Sequence, residues 1–157
     1  MIYAIDPGPH TGVFWIDALG KPRRLTFDYT VPEHEGLKLP HRHLYSWLLA
    51  TVNPVTDWLV CESFEYRKED AKNREYIDYS PGELVGVVKL FAQLTTTPLY
   101  MQMASQAKGF WKDDKLKRVE LFVPGDSFRH VRDATRHWLH FTSFVQGDQS
   151  WLLKLRR

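Results

Sequence analysis

The sequence predicts an α/β fold. It would be built on a five-stranded mixed sheet, three antiparallel strands followed by parallel αβ crossovers, with helices on its faces. Three observations predict it. Ile2–Ile5 and Trp58–Cys61 are unbroken apolar runs, the pattern of strands covered on both faces. Each run ends on a carboxylate, Asp6 or Glu62. Turn-rich, alternating and helix-periodic stretches then follow in the order β-β-β-α-β-α-β-α, and such crossovers add parallel strands with right-handed connections. Strand one is then central, beside strand four.

Each element has its own local reason. Pro7, Gly8, Pro9 and Gly12 separate Ile2–Ile5 from the apolar run Val13–Ile16, which reads as a hairpin. Gly20 and Pro22 mark a second turn. Arg24–Val31 alternates, with Leu25, Phe27, Tyr29 and Val31 on one face, as in a half-buried edge strand. Pro32–Pro40 reads as a loop. His41–Val52 carries Leu44, Trp47 and Leu48 at helical spacing, and Asn53-Pro54 stops it. Asp57–Glu62 is the next strand. Ser63–Tyr79 has no clean period and reads as a mobile loop. Ser80-Pro81-Gly82-Glu83 has the form of a helix start with a capping box, and Leu84, Val87, Val88, Phe91 and Leu94 supply its apolar stripe. Pro98–Met103 is a short strand. Ala104–Trp111 and Asp113–Phe122 read as two short helices. Ser127 is the expected cap of a last helix to about Val145, with Val131, Ala134, Trp138 and Phe141 inward. Trp151–Arg157 is a tail.

Length and composition narrow the class. A chain of 157 residues is expected to form a single domain, 1–157, with a core that needs no disulfide or structural metal. One cysteine, Cys61, excludes an intrachain disulfide, and its place in a buried strand points to packing. No apolar run reaches the ~18 residues of a membrane span, and no secretion signal is visible. A soluble cytoplasmic protein is expected, without a small-molecule cofactor. The formal net charge of +2 permits a nucleic-acid partner without requiring one. His34, His41 and His43 match no structural zinc spacing.

The chemistry is expected where the two acid-ended strands meet. Asp6 and Glu62 would lie side by side, and like charges at that distance need a cation or a proton between them. Hard divalent cations favour such oxygen ligands. His130 and Asp133 stand three apart near the start of the last helix, hence on one face. Together with Asp6 and Glu62 they are candidates for a two-metal site that hydrolyses a phosphodiester. His130 has a plainer alternative, satisfying helix-start backbone groups. His137, one turn further on, reads as an exposed or hydrogen-bonding histidine rather than a ligand.

IDPGPHTG, LVCES and HVRDA, in that order, resemble the RuvC-type Holliday junction resolvases of the RNase H-like superfamily, particularly the compact bacteriophage versions. The resemblance extends to the helix PGELVGVVKL and the basic stretch MASQAKGFWKDDKLKR, and covers most of the chain. It implies an RNase H-like fold and a homodimer that cuts branched or four-way DNA with Mg²⁺ or Mn²⁺, normally two ions. It implies Asp6, Glu62 and Asp133 as metal ligands, and His130 as a fourth ligand or a proton shuttle. An aromatic just after the second carboxylate, Phe64 or Tyr66 here, is implied to stack on a junction base. Arg67 and Lys68 beside it, and Lys108, Lys112, Lys115, Lys117 and Arg118 further on, are candidate phosphate contacts. A solvated helical face, for the second group, and a dimer contact, for the first, are the plainer readings. The insert Phe64–Tyr79 departs from the family pattern. Three other functions compete: an RNase H-like nuclease for RNA–DNA hybrids or flaps, an actin-like phosphotransferase, and a non-catalytic nucleic-acid-binding module. The phosphotransferase needs two such domains, more than this chain holds.

Overall fold

The computed structural model describes residues 1–8, 10–28, 39–64 and 80–155. Five strands form one sheet: β1 (Ile2–Asp6), β2 (His10–Ile16), β3 (Pro22–Asp28), β4 (Trp58–Glu62) and β5 (Leu99–Gln102). Their order is β3-β2-β1-β4-β5. β1, β2 and β3 are antiparallel neighbours, whereas β4 lies parallel to β1 and β5 parallel to β4. This is the mixed sheet predicted, with β1 central and β4 beside it.

Alternation along the strands divides the apolar residues between two layers. Tyr3, Ile5, Val13, Leu59 and Cys61 face α1 (Leu39–Thr51) and α2 (Ser80–Thr95), where Leu44, Leu48, Leu84, Val88 and Phe91 close one core. Trp47 anchors that layer, its ring 5.7 Å from Tyr3 and 6.0 Å from both Trp15 and Phe27. Ala4, Phe14 and Val60 face the other way. They meet Trp111, just past α3 (Ala104–Phe110), Leu116 of α4 (Asp113–Arg118), and Trp138 and Leu139 of α5 (Arg129–His140). Trp138 donates from Nε1 to the Ile2 carbonyl at 3.1 Å and packs edge-on against Phe14 and against Trp151 of α6 (Ser150–Lys154).

Several boundaries differ from the sequence expectation, each for a local reason. β2 begins three residues early, at His10, because the Thr11 hydroxyl closes the hairpin loop, accepting from the Gly8 amide and donating to its carbonyl. The Asp113–Phe122 helix ends at Arg118, since Glu120 takes a left-handed φ of 61° and the Leu121 amide returns to the Leu116 carbonyl. Ser127 is not a cap. It lies in a 3₁₀ turn, Asp126–Phe128, and Arg132 ties down the chain before it by donating to the carbonyls of Val123 and Gly125. The last helix keeps α geometry only to His140. Phe141–Val145 widens into a π-helical turn, where Thr142 Oγ1 donates to the Trp138 and Leu139 carbonyls and competes with the helix ladder. The stretch read as a tail contains α6. The expected β3 end at Val31 and most of the Phe64–Tyr79 loop lie outside the described residues.

Gly12 sits inside β2, directly across from Asp6. A Cβ there would lie 2.2 Å from the His130 carbonyl carbon, so only glycine lets the first turn of α5 rest on the sheet. Gly86, on the exposed side of α2, has nothing within 4 Å of a Cβ. Gly12→Ala is expected to cost about 2–3 kcal/mol through overpacking. Gly86→Ala is expected to gain about 0.5–1 kcal/mol from helix propensity. Urea denaturation of the two variants checks both signs.

Candidate functional site

The site follows from strand register. β1 and β4 are parallel with Ile5 opposite Cys61, so the next residues, Asp6 and Glu62, end side by side. Glu62 in turn pairs with Gln102, and Asp6 with Gly12. Gly12, Asp6, Glu62 and Gln102 therefore form one row across four strands, all on the face that α5 covers. His130, Asp133 and His137 stand at i, i+3 and i+7 on α5, one stripe of that helix laid against the row.

The contacts are short. His130 Nδ1 lies 2.6 Å from Asp6 Oδ2. His137, fully buried, has Nε2 at 2.8 Å from Glu62 Oε2 and Nδ1 at 2.5 Å from Gln102 Oε1. The Lys108 ammonium, carried in by α3, lies 2.9 Å from Glu62 Oε2, 2.9 Å from Asp133 Oδ2 and 4.0 Å from Asp6 Oδ1. Arg136 pairs with Asp133 and Asp113 and donates from Nε to the Trp111 carbonyl at 2.8 Å, which fixes Asp133 from its far side.

Burial, and then the adjoining Glu62, push Asp6 well above the usual carboxylate range, against the pull of Lys108. Burial pushes Glu62 the same way, but hydrogen bonds from His137 and Asp6 and the charge of Lys108 outweigh it and hold Glu62 well below that range. The two neighbouring acids are thus shifted in opposite directions, Asp6 toward its protonated form and Glu62 toward its ionised form. Burial lowers Lys108, and the three carboxylates more than restore it, so its ammonium persists. Burial also lowers His130, with Asp133 opposing and Arg129 assisting, which favours a neutral ring. Burial, then Asp6 and Glu62, raise the Cys61 thiol, so it packs in the core as an inert group.

The three predicted acids and His130 fall in this one region, though not as one compact set. Asp6, Glu62 and His137 present ligand atoms within 4.8 Å of one another, while Asp133 and His130 lie outside that triad. Lys108, read from sequence as a phosphate contact, is turned inward onto the acids. His137 is not the exposed histidine that was one expectation; it is the hydrogen-bonding one. Gln102 and Arg136 were not anticipated. Their signal is register and helix spacing, which single residues do not display.

The other candidates are more dispersed. Phe64 is exposed at a small cleft beside Glu62, with Pro7, Ser63, Pro81 and Met103. Tyr66, Arg67 and Lys68 lie outside the described residues. Lys112 is exposed and lines an open cleft with Lys108, Arg129, Arg132 and Arg136. Lys115 lies over the Phe110 ring at 3.3 Å, Lys117 over Phe122 at 4.9 Å, and Arg118 reaches the Leu155 carbonyl. Among the described residues, no helix is long and apolar enough to cross a membrane.

Comparison places this architecture. No family model matches the sequence, and no curated protein matches it. Solved structures do match, and they define the class as the RNase H-like α/β fold. The particular form is that of RuvC. The structure of Thermus thermophilus RuvC aligns with a TM-score of 0.58 at 19% identity, covering 93% of this chain and 95% of that one. A second structure, T. thermophilus RuvC in complex with Holliday junction substrate, aligns with a TM-score of 0.56 at 20% identity, covering 94% of this chain and 96% of that one.

Lys108 is the cation that balances these acids here. Lys108→Ala, in EDTA, is expected to lower stability by about 1–3 kcal/mol. Losing one partner of a fully buried pair costs more, and partial exposure reduces it. A urea midpoint equal to wild type would show the acids to be balanced by other means.

Proposed function

We propose that this chain, as one nuclease domain over 1–157, is a structure-selective endonuclease that cuts four-way or branched DNA by metal-dependent phosphodiester hydrolysis. The observation that carries the reading is convergence: Asp6, Glu62 and Asp133, from β1, β4 and α5, each put an oxygen within 4.0 Å of a single cation, the Lys108 ammonium. A set of hard oxygen donors around a positive charge fits Mg²⁺ or Mn²⁺. We infer that Asp6, Glu62 and Asp133 hold such ions, two of them serving both oxygens of the displacement. Bound there, the metal would polarise the phosphate and lower the barrier to attack by water.

This chain's own residues then have separable tasks. Asp6, at the centre of the row, is shared between the Glu62 side and the His130 side. His130 orients Asp6 and, as a neutral ring, serves as a further ligand or a proton carrier. Phe64 sits at the mouth of the cleft beside Glu62, where an unpaired base would stack. Lys112, Arg129 and Arg132 line the open cleft on the Asp133 side and suit phosphate contact. Lys115, Lys117 and Arg118, with Arg67, Lys68 and Tyr66, complete the proposed DNA surface. The RuvC-like fold supports branched DNA over a hybrid as substrate, and a homodimer matches the two cuts that a four-way junction requires. The reading places the protein in the cytoplasm of a bacterial or phage-infected cell.

Four-way junction, flap and RNA–DNA hybrid, assayed side by side with Mg²⁺ and with Mn²⁺, test the proposal. The junction is expected to be cut fastest; preference for the hybrid makes the protein a ribonuclease H instead. Asp6→Asn, Glu62→Gln and Asp133→Asn should each reduce cleavage by at least about 100-fold. Junction binding in EDTA should survive in all three, because removing negative charge does not hinder approach to phosphates. An Asp6→Asn protein that cuts at the wild-type rate overturns the mechanism.

A further inference from the structure

We propose that His137 is a positioning residue that fixes Glu62 through an Nε2–H donor, with its tautomer set by the Gln102 side-chain amide. The inference rests on the nuclease reading for its consequence, and on geometry alone for its existence.

His137 is fully buried on the third turn of α5, over the end of the sheet row. Its two ring nitrogens face two oxygens, Glu62 Oε2 at 2.8 Å and Gln102 Oε1 at 2.5 Å. A neutral imidazole carries one N–H and cannot donate to both. Gln102 Nε2, meanwhile, is buried without a partner among the described residues. One rotation answers both problems. Turning the Gln102 carboxamide by 180° aims its N–H at His137 Nδ1, which gives the orphaned donor an acceptor. Nδ1 is then the bare nitrogen, and the ring proton must sit on Nε2, directed at Glu62.

The resulting chain runs Gln102 N–H to His137 Nδ1, and His137 Nε2–H to Glu62 Oε2. Each end is held by the sheet, since Glu62 and Gln102 are paired neighbours on β4 and β5. The middle is held by α5, where Trp138 and Leu139 are buried in the core beside His137. Glu62 is more exposed than Asp6, at 17% against 5%. Without this donor its side chain would be held by Asp6 and the flexible Lys108 ammonium, both on its open side. The Nε2–H removes that freedom and leaves the other carboxylate oxygen for a cation. In this tautomer Nε2 carries the proton and acts on Glu62 as a donor, whereas the opposite tautomer would offer its lone pair beside the Asp6 and Glu62 oxygens.

The wild-type full chain, ¹⁵N-labelled in EDTA at neutral pH, decides the tautomer by long-range ¹H–¹⁵N correlation, with the His137 signal assigned by its loss in His137→Gln. An Nε2–H pattern is expected; an Nδ1–H or doubly protonated ring overturns the inference. The consequence is read by Mn²⁺ titration calorimetry without DNA. His137→Leu, which removes the donor, is expected to bind Mn²⁺ about 10–100-fold more weakly. His137→Gln, whose amide N–H falls near the position of Nε2, should lose less than the ~10-fold at the lower end of that range. Equal affinity in His137→Leu and wild type, or equal loss in Leu and Gln variants, overturns the positioning role. A wild-type protein that takes up no Mn²⁺ overturns the nuclease reading instead, and the tautomer measured in EDTA still decides whether His137 holds Glu62.

Discussion

Three carboxylates gathered at one edge of a sheet repel one another, and the structure is arranged around containing that repulsion. Asp6 is shifted toward its protonated form and Glu62 toward its ionised form, and Lys108 supplies a positive charge to the group. Arg136 takes the outer side of Asp133. These are interactions of partly buried groups, where the local dielectric is low and an uncompensated charge is costly. Each cation is delivered by a helix on the same face of the sheet, Lys108 by α3 and Arg136 by α5. The layer that carries Trp111, Trp138 and Leu139 is thus also the layer that balances the acids. By contrast, the opposite layer, with α1 and α2, has an apolar core that holds the strands together.

Containment depends on a close approach. The first turn of α5 reaches the sheet because β2 has a glycine where the row of acids begins. Gly8 serves the same end: a Cβ there would meet the His130 ring at 2.8 Å. Neither glycine has a positive φ, unlike Gly20, Gly125 and Gly147. Their role is the absence of a side chain, not backbone freedom. Read from sequence, both belonged to the turn of the first hairpin. In the folded chain they form the floor on which the helix carrying His130 and Asp133 stands.

Much of the fold was legible because its signals are local. Ile2–Asp6 and Trp58–Glu62 announce buried strands by composition, and the stripes of α1 and α2 announce helices by period. The acids were legible because a carboxylate at the end of an apolar strand is unusual enough to need a partner. What was not legible depends on pairing. Gln102 matters only because β5 aligns it with Glu62, and no property of the isolated segment LYMQ conveys that register. His137 was visible as a histidine, but its partner was not. Lys108 stood among several basic residues, and a linear charge pattern does not tell which one turns inward. The π-helical turn after His140 hinges on one threonine hydroxyl competing with the ladder, an effect that hydrophobic periodicity does not carry.

The stripe on α5 is also a matter of matched lengths. From His130 to His137 the helix rises ~10.5 Å at ~1.5 Å per residue. From β2, where Gly12 lies under His130, to β4, where Glu62 meets His137, the sheet spans two strand spacings of ~4.8 Å, or ~9.6 Å. The two scales nearly coincide, so the helix works as a vernier against the strands, with Asp133 falling between the end marks. Such a scale tolerates changes of side chain but not of count. One residue added between His130 and His137 would turn the second mark by about 100° around the helix and leave Glu62 facing a different residue. Spacing within this segment is therefore under a tighter physical constraint than identity at most of its positions.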